Sequence, residues 1–260
     1  MGQFGWDPQQ YGRFADHRSR PFFELTARID AEPRRVIDLG CGSGELTATL
    51  AARWPDAEVE GVDGSESMLA QAAAGHYRAS FRAADLSTFI PGADYDVVVS
   101  NAAYQWVEGH ETVLATIAAE LPPGGWLAIQ VPGNFGAPSH RIIREVVAED
   151  RWAAALGPGF ALRHDPVLTP AEYGDLFAAA GLAVDTWETT YNQVLPGDDP
   201  VLEWVKGTAL RPVLDRLSAA DAAAFLSELG ARLRSAYPRR PYGTVFPFRR
   251  FFAVGHRTRS

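Results

Sequence analysis

The 260-residue sequence predicts an α/β fold: a doubly wound, largely parallel sheet with a helical cap over its C-terminal strand edge. Three observations predict it. A buried strand runs into a glycine-rich turn at residues 36–45, strand-like and helix-like hydrophobic periods alternate as far as Val131, and helix signals dominate after it. The length suits one large domain with a full core. The chain is read as a single domain, 1–260, with an N-terminal lid segment at 1–33, a first half at 34–131 built on the glycine turn, and cap helices with late strands at 132–260.

Residues 35–39 read as the first strand. In 45–54, Leu46, Leu50 and Trp54 stand four apart and give a helix one apolar stripe. The second strand is 58–62, ending in Asp63; 65–74 is a helix, 80–83 a short strand and 96–100 a valine-rich buried strand. Val113, Leu114, Ile117 and Leu121 share a face of a helix at 110–121, which Pro122-Pro123-Gly124-Gly125 stops before a strand at 126–131. Then the βα rhythm breaks. A helix is predicted at 139–149, and Thr169-Pro170-Ala171-Glu172 is a capping box with proline at the first helical position, opening a helix that ends at Gly181. Residues 182–191 are strand-like, 200–207 and 218–237 helical, and 245–255 the last strand. Helices set between late strands make a lid over the ligand edge of the sheet.

Composition narrows the function classes. No run approaches the roughly 20 apolar residues of a membrane span, and the Met-Gly-Gln-Phe start lacks a basic region followed by an apolar one. A soluble, cytoplasmic protein is expected, with no membrane partner. Cys41 is the only cysteine, which excludes an internal disulfide, and its place inside the glycine turn points to small-volume packing rather than redox chemistry. The six histidines show no ligand spacing, so no metal site is expected. A net charge of −8 argues against nucleic acid. The expected partner is a small molecule, and the expected state a monomer or weak dimer. Of 24 basic residues only Lys206 is lysine, and beyond residue 230 there are eight arginines and no carboxylate. Coding bias explains most of them.

Glycines at alternate positions, Gly40, Gly42 and Gly44, strip side chains from the turn, so that a ligand can lie on bare backbone. A dinucleotide fingerprint wants its third glycine one place later, where Glu45 stands, and a carboxylate there suits a diphosphate poorly. A hydride-transferring dehydrogenase is therefore disfavoured. With Asp38 before it, the Asp-x-Gly-x-Gly-x-Gly pattern resembles motif I of the class I S-adenosylmethionine (SAM) dependent methyltransferases, which have a Rossmann-like sheet. Asp63, 19 residues beyond Gly44, closes the second strand, where an acid can accept both ribose hydroxyls; its other reading is a carboxylate at the N-terminus of a helix. Asp85 and Leu86 follow the third strand and are candidates for the adenine amino group and ring, with Met68 on the opposite face or in the core. Polar and aromatic groups bunch after the fourth strand. There Asn101 is expected to face the methionine end of SAM, and Gln105 and Trp106 to reach the acceptor, Trp106 having a core anchor as its alternative.

A closer resemblance spans nearly the whole chain. Trp6-Asp7-Pro8 with Tyr11, Arg18-Ser19-Arg20-Pro21, Asn101-Ala102 with Gln105-Trp106, Gln130-Val131-Pro132-Gly133-Asn134, Ser139-His140, Trp187-Glu188-Thr189-Thr190-Tyr191 and Phe246-Pro247-Phe248-Arg249-Arg250 resemble the trans-aconitate 2-methyltransferase family. The resemblance implies transfer of the SAM methyl group to a carboxylate of trans-aconitate, giving a monomethyl ester. A carboxylate is ionised near pH 7, so no general base is needed and no catalytic residue is assigned. Guanidinium forks match carboxylates. Arg18, Arg20, Arg211 and Arg250 are the expected pool for them, with Arg20 preferred over Arg18 for the carboxylate of SAM itself; Tyr11, His140 and Tyr191 are further hydrogen-bond candidates, and His140 is the group able to bend a pH profile near neutrality. The alternatives are a SAM methyltransferase of another small acidic or hydroxylated metabolite, and a SAM-binding protein without catalysis.

Overall fold

Valine-rich segments with no polar face must be buried on both sides, and they form the middle of the sheet: Val97, Val98 and Val99 are all fully buried. The computed structural model describes residues 15–164 and 166–259. In chain order the elements are α1 (Ala15–Thr26), β1 (Arg35–Leu39), α2 (Glu45–Arg53), β2 (Glu58–Asp63), α3 (Glu66–Ala74), β3 (Ser80–Ala83), β4 (Val97–Asn101), a 3-10 turn (Tyr104–Trp106), α4 (His110–Glu120), β5 (Trp126–Pro132), α5 (Pro138–Val147), α6 (Asp150–Leu156), α7 (Pro170–Ala179), β6 (Ala183–Leu195), α8 (Pro200–Lys206), α9 (Arg211–Leu214), α10 (Ala219–Ala236), β7 (Arg239–Arg240) and β8 (Gly243–His256).

The strands form one sheet in the order β3-β2-β1-β4-β5-β8-β6, with β7 paired to β8. The first five are parallel, β8 is antiparallel to β5, and β6 is antiparallel to β8. Strand order reverses between β1 and β4, so their carboxyl ends open the crevice where doubly wound sheets take ligands. One face, carrying Val36, Val97, Val99, Ala128, Phe252 and Val254, is covered by Phe22, Leu25 and Ile29 of the α1 segment and Leu50 and Ala51 of α2. The other carries Ile37, Val98, Leu127 and Ile129 beneath α4 and α7.

The late strands outrun the parallel ones. β8 pairs β5 only from Arg250 to His256, whereas its pairing with β6 runs from Thr244 to His256. Half of this two-stranded ribbon therefore projects past the carboxyl edge of β5, placing Arg250, opposite Pro132, on the rim of the crevice. A separate apolar cluster from α5, α6, α8, α9 and α10 packs on the projecting half through Leu195, Phe246 and Phe248. These helices lie between late strands, as the sequence predicts.

Helix α1 is fastened to β6 by a polar ladder. Four helical residues rise about 6 Å and two strand residues about 6.6 Å, so every fourth residue of one can meet every second residue of the other. The Arg20 guanidinium lies 4.9 Å from the Tyr191 ring centre, Glu24 accepts hydrogen bonds from Tyr191, Thr189 and Trp187, and Arg28 lies over Trp187 and 3.8 Å from Asp185. Burial alone would raise the Glu24 pKa, but the hydrogen bonds from Thr189, Tyr191 and Trp187, with the Arg20 charge, outweigh it and hold the carboxyl below its ordinary range. At the far end of α1 the Arg53 guanidinium donates to the carbonyls of Thr26 and Ile29.

Three differences from the predicted elements have physical causes. Pro21 lies inside α1: the segment read from the sequence only as an N-terminal lid is helical from Ala15 to Thr26, and burial of Phe22 and Leu25 decides for helix. Strand β6 continues four residues past Tyr191, because its polar Gln193 takes an inward position and is buried. The single helix expected at 139–149 ends at Val147, and a second begins at Asp150 to bury Trp152. Replacing Glu24 by Gln is expected to lower thermal stability at pH 7, on the scale of about 1.5–3 kcal/mol for hydrogen bonds to a charged group. A depressed folded-state pKa contributes stability above the unfolded pKa, lost as pH falls. The gap between the melting temperatures of Glu24→Gln and wild type should accordingly narrow as the pH falls below the ordinary carboxylate range.

Candidate active site

The turn after β1 takes a left-handed path at all three glycines, with φ of 84° at Gly40, 56° at Gly42 and 80° at Gly44. Each faces something different. A Cβ at Gly40 would collide with Ala103, and one at Gly44 would come 2.7 Å from the Phe81 ring, so these two glycines let the turn press against neighbouring elements. Among the described residues, a Cβ at Gly42 would meet nothing within 4 Å. Gly42 is thus the bare surface a ligand can approach.

Asp63, at the end of β2, holds this surface in shape. Its Oδ2 accepts the Gly42 N–H at 2.9 Å and its Oδ1 accepts the Ser65 N–H at 2.8 Å, which also fixes the start of α3. The helix-terminus reading is thus met, by a carboxylate that also braces the glycine turn. Asp38 is buried and accepts the Thr47 hydroxyl at 2.6 Å; burial pushes its carboxyl up to about 7, against the Thr47 bond and with help from the charge of Asp63. Cys41 is buried against Gly61, whose missing side chain makes room for it, and burial with the neighbouring carboxylates pushes its thiol pKa up. Such a thiol is a poor nucleophile.

Around this turn lie the other expected cofactor contacts. Leu86 Cδ1 is 3.4 Å from where a Cβ at Gly40 would sit, and Met68 is buried in the first turn of α3. Asp85 is exposed, and its Oδ1 accepts both the N–H and the hydroxyl of Ser87, which keeps its pKa low. After β4 the chain makes a left-handed step at Ala102, φ 54°, stabilised by its N–H donating to the Gln130 carbonyl at 2.8 Å. This step sets Asn101 and Gln105 at the crevice. The Gln105 side chain donates to the Ala102 carbonyl, while Gln105 Oε1 and Asn101 Oδ1 are buried without a hydrogen-bond partner among the described residues.

Arg20, Tyr191 and Arg250 meet on the α1 face beside the rim. Arg20 stacks on Tyr191, the charges of both arginines act on the Tyr191 hydroxyl, and the Arg250 guanidinium lies 4.4 Å from the Phe248 ring centre. Arg250 is buried. The Tyr191 hydroxyl donates its proton to Glu24, while the Arg20 guanidinium covers its ring. Tyr11 and the side chain of Arg18 lie outside the described residues. Arg211 opens α9, next to Leu210 and Val213 of the cap cluster.

Two expectations need correction. Trp106 is 54% exposed and is no core anchor; Tyr104, fully buried two residues earlier, fills that role. His140 packs edge-on against Phe135, with Nδ1 3.2 Å from the Ser139 hydroxyl, and burial plus the Arg144 charge lowers its pKa to about 4. Its ring is neutral throughout the near-neutral range and cannot bend a profile there. A wide groove lined by Asn134, Thr190, Tyr237, Arg240 and Arg249 opens on the other face of the β6–β8 ribbon, away from Arg250.

Two residues absent from the sequence-based site belong to this face. Glu24 carried no signal, being one of two acids in a helix that also holds two arginines. Gln130 carried one: a polar residue inside an apolar strand, 1% exposed, with neither end of its amide bonded.

A family model described as a methyltransferase domain matches residues 11–186. The chain is 53% identical to a trans-aconitate 2-methyltransferase of Streptomyces avermitilis, covering 97% of each, and 53% identical to one of Rhodococcus jostii, covering 96% of this chain and 98% of that one. In fold it is similar to a putative methyltransferase solved with the Haloferax volcanii Trm112 activator (TM-score 0.55, 22% identity, 97% of this chain and 94% of that one) and to the YcgJ protein of Bacillus subtilis (TM-score 0.54, 17% identity, 94% and 100%).

The glycines separate fold from ligand in a measurable way. Gly40→Ala is expected to cost several degrees of melting temperature, since its Cβ has no room. Gly42→Ala should cost about 1–2 kcal/mol of stability through left-handed strain, yet weaken SAM binding well beyond that in calorimetry, and Gly42→Val more so. Equal SAM affinity in a folded Gly42→Val protein would remove the turn from the cofactor site.

Proposed function

Because the chain belongs to the trans-aconitate 2-methyltransferase family, we propose that it esterifies one carboxylate of trans-aconitate with the methyl group of SAM, giving the monomethyl ester. The observation that carries this reading is the convergence of two features on one sheet edge: a glycine turn bared at Gly42 beneath Asp63, and the pair Arg20 and Arg250 gathered around Tyr191. A tricarboxylate needs local positive potential in a protein whose net charge is −8, and buried or stacked guanidiniums provide it where they are least screened.

The residues present fit the cofactor. Gly40, Gly42 and Gly44 would lie along its methionine part, Asp63 would accept the ribose hydroxyls, Asp85, Leu86 and Met68 would surround the adenine, and Asn101 with Arg20 would face the amino-acid end. Bound SAM supplies an electrophilic methyl on a sulfonium and departs as a neutral thioether. Arg250, with Arg18 and Arg211 in the same pool, holds spectator carboxylates, while Gln105, Trp106, Tyr11 and His140 close around the acceptor. No residue has to take a proton, because the accepting carboxylate arrives ionised. The protein's part is to align the acceptor oxygen with the methyl carbon and to exclude water.

The deciding experiment is incubation with labelled SAM and a panel of di- and tricarboxylates, with mass spectrometry of the products. A trans-aconitate monomethyl ester is expected; a methylated hydroxyl or no product would sink the proposal. Arg250→Ala should raise the KM for trans-aconitate by tenfold or more, on the scale of a lost charge-assisted pair of about 1.5–3 kcal/mol, and leave SAM affinity near wild type. Wild-type kinetics in that variant at several ionic strengths would free Arg250 from the acceptor site.

The pH dependence separates kcat from binding. At saturating SAM and acceptor, kcat is expected to be flat from about pH 6.5 to 8.5, since carboxylates of ordinary pKa have finished titrating and His140 stays neutral there. Asp38, with its carboxyl at about 7 in the free protein, is favoured in its ionised form by a cationic ligand. SAM affinity should thus rise from pH 6 to 8, a trend that Asp38→Asn should flatten. A tenfold rise of kcat per pH unit, with methyl transfer rate-limiting, would instead indicate base-assisted attack by a hydroxyl.

A further inference from the structure

We infer that Gln130 orients the reacting carboxylate of the acceptor, holding it through its neutral amide while the arginines hold the carboxylates that do not react. The inference rests on the function proposed above. Gln130 is 1% exposed, and among the described residues neither Nε2 nor Oε1 has a hydrogen-bond partner. A buried amide with no partner is unfavourable, and native structures rarely keep one without a reason.

Its position says what the missing partner is. In the parallel β4–β5 ladder Gln130 stands level with Asn101, whose buried Oδ1 is also unpartnered, and two residues before Pro132, which pairs with Arg250. Ala128, two residues back on β5, and Phe252, opposite Gln130 on β8, both belong to the apolar cluster under α1, so the period of two puts the Gln130 side chain on that same face. Reading across the face, the order is Asp38 on β1, Asn101 on β4, Gln130 on β5 and Arg250 on β8. The glycine turn stands at one end of this line and the carboxylate clamp at the other. The bond-forming oxygen must lie between them, where Gln130 is.

The chemistry suits an amide there. A guanidinium on the attacking carboxylate would stabilise its charge before reaction and weaken it as a nucleophile. A neutral N–H bonds one oxygen and leaves the other free to attack. In the step, that free oxygen forms the C–O bond as the C–S bond breaks and its electron pair stays on sulfur; Gln130 neither gives nor takes a proton. Asn101 Oδ1, an acceptor on the same line, faces the cofactor side.

The test is Gln130→Leu, close in size and without the amide. Expected is a fall in kcat/KM for trans-aconitate of about tenfold or more, SAM affinity by calorimetry within about twofold of wild type, and a melting temperature equal to or above wild type, because an unpaired polar group has left the core. A packing residue would behave oppositely: a lowered melting temperature with kcat/KM per folded molecule unchanged would overturn the inference, and so would a loss of SAM affinity that accounts for the whole loss of activity. Gln130→Glu supplies a second signature. Its introduced carboxyl, whose pKa burial at this site raises above the ordinary carboxylate range, repels the acceptor when ionised and can donate a hydrogen bond when protonated, so activity should recover toward pH 6 while wild type stays flat; absence of recovery counts against the role. Wild type run on the carboxylate panel separates the failures. A wild type inactive on every acid would overturn the esterification reading and this role with it, whereas an active wild type beside an equally active Gln130→Leu overturns the Gln130 role alone.

Discussion

The hydrogen bond from the Gly42 N–H to Asp63 is the constraint on which the ligand edge depends. It ties the turn after β1 to the end of β2, and the second oxygen of the same carboxylate carries the tie on to the first turn of α3 through Ser65. Three backbone segments that could otherwise take independent paths share one anionic acceptor. Hydrogen bonds to a charged group are roughly twice as strong as neutral ones, which suits this position, since a loop of bare glycines has no side chains with which to brace itself. The flanking glycines add to this by close approach: Gly40 admits Ala103 and Gly44 admits Phe81.

A second constraint works from the opposite end of the sheet. Because β6 and β8 run past β5, they carry Tyr191 and Phe248 beyond the rim on which Arg250 stands, while the part of β6 level with β5 gives α1 a surface to lie on. The α1–β6 ladder, with Arg20, Glu24 and Arg28 meeting alternate residues of β6, sets where the N-terminal end of the helix reaches the crevice. Glu24 determines how Tyr191 presents its oxygen and where Arg20 can stack. The two ends of the crevice are thus built by different means, backbone geometry for one and side-chain pairing across a long ribbon for the other.

The cofactor half was legible because its signals are local. Gly40, Gly42 and Gly44 need left-handed backbone at fixed spacing, and Asp63 follows a strand whose length is read from its valines; both features survive in a string of letters because each is decided within a few residues. The parallel strands and α2, α4 and α7 likewise announce themselves through periodicity and caps, Thr169 with Glu172 being the clearest, both halves of its capping box being present.

What the sequence by itself determined is therefore the fold class, the glycine turn and, through blocks scattered over the whole chain, the family. Tertiary structure alone decided which polar residues face one another. Gln130 and Asn101 are 29 positions apart and become neighbours only through strand register; Glu24 reaches Trp187, Thr189 and Tyr191 across more than 160 residues. Trp106 and Tyr104 look alike in the sequence, and only the path of the chain after Ala102 sends one into the core and the other to the surface. The physical reason is the same in each case. A hydrogen bond or a burial state depends on distance in space, which the sequence encodes through the whole packing of the chain, whereas a left-handed glycine or a helix cap is settled by the residues next to it.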